Sequence, residues 1–139
     1  MSVAIVYWSG TGNTEAMAQA VEDGAKAKGA ETVLLPSVAF DASMVSQYDA
    51  IAFGCPAMGA EVLEESEFEP MFSACLPELS GKTIALFGSY GWGDGEWMRT
   101  WEDTCTGAGA KLACDCVICC GYPDDGALDE CKALGEALA

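Results

Sequence analysis

"VAIVYWSGTGNTEAMAQ", Val3 to Gln19, is the stretch on which the fold turns. Val3–Trp8 is a short β-branched and aromatic run, suited to a strand buried in a parallel sheet. From Asn13 to Lys28, Ala16, Met17, Ala20, Val21 and Ala25 recur at helical spacing, and Gly29 is a stop signal. Between them, Ser9, Gly10, Thr11, Gly12, Asn13 and Thr14 offer three hydroxyls, an amide and backbone N–H groups that glycine lets curve tightly. The following helix aims its N-terminal N–H groups at the same point, which makes an anion site of neutral donors. No lysine or arginine precedes Lys26. A nucleotide-hydrolysing loop needs G-x-x-x-x-G-K-[ST], and the G-x-G-x-x-G dinucleotide pattern fails as well, because Glu15 stands where its third glycine belongs. A cation-free nest suits a phosphate that is held and never transferred.

Outward from this stretch, apolar runs alternate with helix-length segments. Thr32–Pro36 reads as a second strand, and a weak segment around Met44–Tyr48 precedes a third at Ala50–Gly54. A helical piece near Phe68–Leu76 leads to a fourth strand at Lys82–Tyr90. Glu96–Thr106 carries Trp97, Met98 and Trp101 at helical spacing, "KLACDCVIC" (Lys111–Cys119) reads as the fifth strand, and Ala127–Leu138 as the last helix. Five strands alternating with helices imply an α/β, doubly wound parallel sheet with helices on both faces. No linker, repeat or low-complexity tract divides the chain, so 1–139 reads as one domain.

In such sheets ligands bind beyond the carboxyl ends of the strands, at a topological switch point. Three loops stand there: Ser9–Thr14, Cys55–Glu61, and Gly88–Gly95. Met58 and Trp92 belong to two of them, and a thioether and an indole suit a flat, electron-rich ring between them. Gly59 admits more than one turn type, and Gly91 and Gly93 flank Trp92.

Composition excludes several classes. Six Lys+Arg against 22 Asp+Glu give a formal charge of −16, a poor match for nucleic acid or anionic membranes. Such charge either keeps a small protein soluble or steers it to a basic partner. Its grouping at Glu61–Glu69, Asp94–Asp103 and Asp124–Asp125 favours steering. No apolar run approaches the roughly 20 residues of a membrane span, and Val3–Trp8 lacks the flanks of a signal peptide. Eight cysteines in 139 residues fall below a disulfide-scaffold density. Cys116-x-x-Cys119 suggests a metal site, but on a strand residues three apart point to opposite faces. Core thiols acting as small hydrophobes are the expectation.

The whole chain resembles the flavodoxin family, specifically its short-chain clostridial type, through "IVYWSGTGNTEAMA", "GCPAMG", "EVLEESEFEP" and "ALFGSYGWGDGEWM". The resemblance implies strand order 2-1-3-4-5, one non-covalent FMN, and single-electron transfer at low potential between redox enzymes. By that pattern Ser9–Thr14 hold the FMN phosphate, and Met58 and Trp92 flank the isoalloxazine. The Met58–Gly59 peptide turns its carbonyl toward flavin N5–H upon reduction, stabilising the neutral semiquinone, and Glu61 accepts from N3–H. Pro56, Ala57, Ala60, Ser89, Tyr90, Gly91 and Gly93 complete the contacts. Two departures stand out: Ala60 occupies a place that is acidic in many relatives, and Pro56 a place where some offer a hydroxyl. The implied protein is a cytoplasmic, monomeric electron carrier meeting the basic faces of redox partners, without metal, nucleic acid or membrane. The alternative is an NAD(P)H-dependent flavin or quinone reductase on the same fold, for which Arg99 and five scattered lysines offer little phosphate recognition. A phospho-acceptor response-regulator domain is disfavoured, because Trp8-Ser9 and Gly54-Cys55 stand where it needs acidic residues. A metal-binding cysteine module is the remaining rival.

Overall fold

Ser2–Tyr7 (β1) lies at the heart of a parallel sheet, with Glu31–Pro36 (β2) on one side and Ala50–Gly54 (β3) on the other. The computed structural model describes residues 1–58, 61–91 and 93–139. Thr83–Tyr90 (β4) pairs with β3, giving the order β2-β1-β3-β4-β5. Register is continuous across the centre: Ile5 stands beside Leu34 and Ala52, and Ala52 beside Ala85. Every residue of β3 is buried, as are Val3–Val6 and Ile84–Phe87. A strand covered on both faces must be apolar throughout, which is why these runs show no alternation.

The fifth strand departs from the expectation. It forms as two pieces, Lys111–Leu112 (β5) beside Thr83–Ile84 and Val117–Cys120 (β6) beside Phe87–Tyr90. Leu112 pairs with Ile84 and Val117 with Phe87, so the edge takes five steps where β4 takes three. An edge strand has one free side, so extra residues and the exposed Asp115 are accommodated outward. The interruption leaves the cysteines on opposite faces all the same: Cys116 packs against one core and Cys119 against the other.

Two cores result. On one face Asn13–Ala27 (α1) and Asp125–Leu138 (α4) cover Val3, Ile5, Ala52 and Phe87. On the other, Phe68–Cys75 (α2) and Glu96–Gly107 (α3) cover Ala4, Val6, Phe53 and Leu86. There Phe72 meets both Phe53 and Trp101 edge-on, with ring centroids 5.1 and 5.5 Å apart. Each fully buried side chain of this size contributes about 1.5–3 kcal/mol. The β2–β3 connection holds no α-helix. Met44–Tyr48 falls on a 3₁₀ turn, Ala42–Gln47, whose start is capped by Asp41 accepting from Ser43 N–H at 2.9 Å. Among the described residues no helix is long and apolar enough to cross a membrane.

Candidate functional site

Because all strands run parallel, the loops after β1, β3, β4 and β6 leave the sheet at one edge. Backbone bonds just past the strand ends hold them in place. Trp8 N–H donates to Gly54 O (3.0 Å), Cys55 N–H to Phe87 O (3.1 Å), Ala57 N–H to Ser89 O (3.0 Å) and Gly121 N–H to Tyr90 O (2.8 Å). Between the loops lies a cleft of about 260 Å³.

The loop after β1 forms one end. Gly12 has φ +93 and caps α1 with no side chain, so the first-turn N–H groups stay uncapped. Its own N–H donates to Ser9 Oγ at 3.0 Å, closing the turn. Gly10, Thr11 and Asn13 line the cleft, while Ser9 and Gly12 line an adjoining hollow. Thr14 is buried, and its Oγ1 has no hydrogen-bond partner among the described residues.

The loop after β3 contributes Pro56, Ala57 and Met58 to the cleft wall. Met58 and Val62 exchange two backbone bonds, 2.9 and 3.1 Å, forming a tight reversal. Within it Glu61 has φ +57, an unusual conformation for a residue with a side chain. Its Oε1 is buried without a partner among the described residues. The loop after β4 brings Ser89, Tyr90 and Gly91 to the same cleft. Gly93, at φ +86, fits against Glu61: a Cβ there would lie 2.5 Å from Oε1. The expected contacts of Gly59, Ala60 and Trp92 fall on positions outside the described residues.

Beneath the β3 loop, Glu64 ties the connection down. Its carboxylate accepts from the Glu67 and Phe68 N–H groups at 2.7 and 2.8 Å and from the Ser66 N–H and hydroxyl. Burial pushes this acid up, but those four bonds outweigh it and hold the carboxyl below its ordinary range. Glu64 N–H in turn donates to Cys55 Sγ at 3.3 Å, and the Cys55 thiol, pushed up by burial to about 12, stays protonated.

Two lining residues were not among those expected, Trp8 and Gly121. Trp8 is the last residue of the first apolar run, so its place at the loop mouth was legible from strand length alone. Its indole N–H donates to Glu67 Oε1 at 2.9 Å, and its ring lies close to Gly10. Gly121, φ +74, follows the split fifth strand, whose end the sequence pattern does not locate. Tyr7 Oη donates to Glu15 Oε2 at 3.1 Å; burial, then that bond and charge, raise the phenol. Among the described residues no Lys or Arg lines the cleft or the adjoining hollow. Arg99, the sole arginine, is exposed and pairs with Asp94 at 3.0 Å. The arrangement therefore offers N–H groups and hydroxyls to an anion at one end, apolar walls beside it, and no cation.

The family model for flavodoxin matches residues 5–135 of the chain. Flavodoxin of Megasphaera elsdenii is 47% identical over 137 residues, spanning 99% of this chain and 98% of that one. Flavodoxin of Clostridium beijerinckii is 44% identical over 137 residues, spanning 97% of each. The solution structure of two-electron reduced Megasphaera elsdenii flavodoxin superposes with a TM-score of 0.90, at 48% identity, covering 98% of this chain and 97% of that one. With that match, and with the strand order and loop cleft already described, the chain belongs to the flavodoxin family of small FMN-binding electron-transfer proteins.

Proposed function

We propose that the cleft holds one FMN between the loops after β1, β3 and β4, and that the protein carries single electrons at low potential between redox enzymes without itself being an enzyme. The observation that carries this reading is a pair of unmet polar atoms, Thr14 Oγ1 and Glu61 Oε1, among the described residues. The first is a hydroxyl donor at the uncapped helix end, which suits a phosphate monoester. The second is an acceptor in the loop whose Pro56, Ala57 and Met58 line the cleft; Glu61 itself lines a separate hollow with Leu63 and Trp97, and an unmet acceptor of this kind suits a ring N–H such as flavin N3–H.

FMN supplies the redox chemistry when bound. Ser9–Thr14 bind its phosphate through hydroxyls and N–H groups. By the family pattern Met58 and Trp92 would hold the two ring faces, with Pro56, Ala57, Ala60, Ser89, Tyr90, Gly91 and Gly93 around the edges. The Met58–Gly59 carbonyl would accept a hydrogen bond from N5–H of the reduced flavin. The absence of Lys and Arg from both cavity walls among the described residues, together with nearby carboxylates, disfavours added negative charge and so lowers the potential. The same lack leaves no cationic grip for the phosphates of a nicotinamide dinucleotide, which argues against the reductase reading.

Glu65, Glu67, Glu69, Asp94, Glu96, Asp124 and Asp125 are exposed, which supports brief, salt-sensitive encounters with basic partner faces. We read 1–139 as one FMN-binding domain acting as a cytoplasmic monomer. The test is the visible spectrum of the purified protein with a redox titration. Two flavin bands, FMN released on denaturation and two resolved one-electron steps are expected. A colourless protein that cannot be reconstituted, or direct bleaching by NADPH alone, would overturn the reading.

A further inference from the structure

Trp8 lines both the cleft and the hollow beside it, and its indole joins two loops that leave different strands. On one side the ring lies over Gly10, where an added Cβ would come 3.0 Å from Cη2 and 3.3 Å from Cζ3. On the other side the indole N–H donates to Glu67 Oε1 at 2.9 Å, in the long loop after β3. Glu67 precedes α2 without capping it, and this is the one bond its carboxylate makes among the described residues. Its backbone N–H is held separately, by Glu64 Oε1 at 2.7 Å. Glu64 N–H in turn donates to Cys55 Sγ at 3.3 Å, one residue before Pro56 in the cleft wall. Contacts therefore run without a break from the phosphate loop to the base of the β3 loop. Within Ser9–Thr14 the Ser9 hydroxyl closes the turn at Gly12. Neither Gly10 nor Thr11 makes a hydrogen bond among the described residues, so that half of the loop rests on the indole.

We infer that Glu67 is a positioning residue for phosphate recognition: by accepting from the indole N–H it holds Trp8 against Gly10, and so keeps the loop after β1 in its anion-receiving shape. The inference rests on the proposed phosphate site. Glu67 lines the hollow and not the cleft, so it acts through Trp8. A loop already in its bound shape loses less freedom when the ligand arrives, and affinity rises by the ordering that is spared. Two glycines among the six residues Ser9–Thr14 make that ordering costly. Charge works in the opposite direction, because a carboxylate beside the loop repels a phosphate dianion. Glu67 is exposed, so water and salt screen the repulsion. The hold on the indole is a direct contact and outlasts that screening. Substitution separates the two effects: glutamine keeps an acceptor oxygen and drops the charge, whereas leucine loses both.

The test is the preference of the apoprotein for FMN over riboflavin, which lacks the phosphate, taken as the ratio of their dissociation constants. A change that merely loosens the fold weakens both flavins and cancels in the ratio. Glu67→Leu is expected to lower the preference about five-fold. Trp8→Phe, which keeps a ring but has no N–H, is expected to lower it by a similar factor. The double variant is expected to lose no more than either single one, as for two partners of one bond. Glu67→Gln is expected to keep the full preference or to raise it. Solvent exchange of the Trp8 indole N–H, followed by NMR, is expected to slow when FMN binds wild type or Glu67→Gln and to stay fast in Glu67→Leu. If Glu67→Leu matches or exceeds the wild-type preference, or if glutamine and leucine lower it alike, the positioning role is overturned while the phosphate loop stands. Fast indole exchange in the FMN-loaded wild type would overturn it too. If the wild type binds the two flavins alike, the phosphate site falls and takes this inference with it.

Discussion

Glu61 and Gly93 fit each other closely, because a Cβ on Gly93 would come within 2.5 Å of Glu61 Oε1. Both residues have positive φ, 57 and 86. Glu61 therefore accepts backbone strain of about 1–2 kcal/mol to place a carboxylate oxygen that the described residues leave unpaired. Glu61→Gly is expected to stabilise the apoprotein by up to about 1 kcal/mol and to weaken FMN by about ten-fold or more, the loss of one charged acceptor. Thermal unfolding of the apoprotein and flavin fluorescence titration measure the two. If both quantities fall together, the carboxylate serves the fold and not the ligand. Gly93→Ala, which displaces the carboxyl and adds strain, should lower both.

Glu64 is expected to matter for stability in a pH-dependent way. Its folded pKa lies below the ordinary value, so its contribution is whole above the unfolded carboxylate pKa of about 4.3 and fades as pH falls through the folded value. Glu64→Gln should cost about 1–3 kcal/mol at neutral pH. Urea denaturation across pH 7 to 3 should show wild type and variant converging at the acid end. A gap that stays constant across the range would show that the ionised form carries no special share.

Helices α1 and α4 touch backbone to backbone. A Cβ on Gly135 would lie 2.0 Å from Val21 O, and one on Gly24 would lie 2.0 Å from Lys132 O. Either alanine gains about 0.5–1 kcal/mol of helix preference, but overpacking costs about 1–3 kcal/mol, and a rigid backbone cannot swing aside. Gly135→Ala should therefore lower Tm by several degrees, at roughly 3–6 °C per kcal/mol for a chain of this length. Gly107→Ala, with nothing within 4 Å of its added carbon, is the control and should be neutral or slightly stabilising. Equal Tm values would remove the helix contact as the cause.

The thiols should react very unequally. Burial pushes Cys55, Cys105 and Cys131 up to about 12 and Cys75 and Cys119 up to about 11, while Cys120 is the exposed one. A disulfide exchange reagent at pH 8 is expected to label Cys120 fast in the native protein and all eight cysteines after denaturation. Fast labelling of Cys55 in the folded state would contradict the packing beneath the β3 loop.

Pro56 lines the same cleft as Thr11 and Asn13 and offers no hydroxyl. Pro56→Ser should tighten FMN about 2–10-fold by adding one donor. An unchanged Kd for FMN would place that position out of reach of the phosphate.

By itself the sequence determined the architecture and which loops stand at the ends of the strands. Buried parallel strands are continuous apolar runs, and helices carry their own period, so Ala50–Gly54 and the helix starting at Asn13 were legible to the residue. The loops at the strand ends followed, because a parallel sheet delivers them to one edge. The tertiary structure decided what depends on distance across the fold. The fifth strand divided because its ladder partner, β4, allows only three steps where the edge supplies five. Trp8 turned to Glu67, and Ser37 to a hollow shared with Glu15, through neighbours brought together by the β1–β2 pairing and the long loop after β3. Periodicity records which side of an element faces inward. It holds no record of which distant carboxylate, glycine or hydroxyl will meet it there.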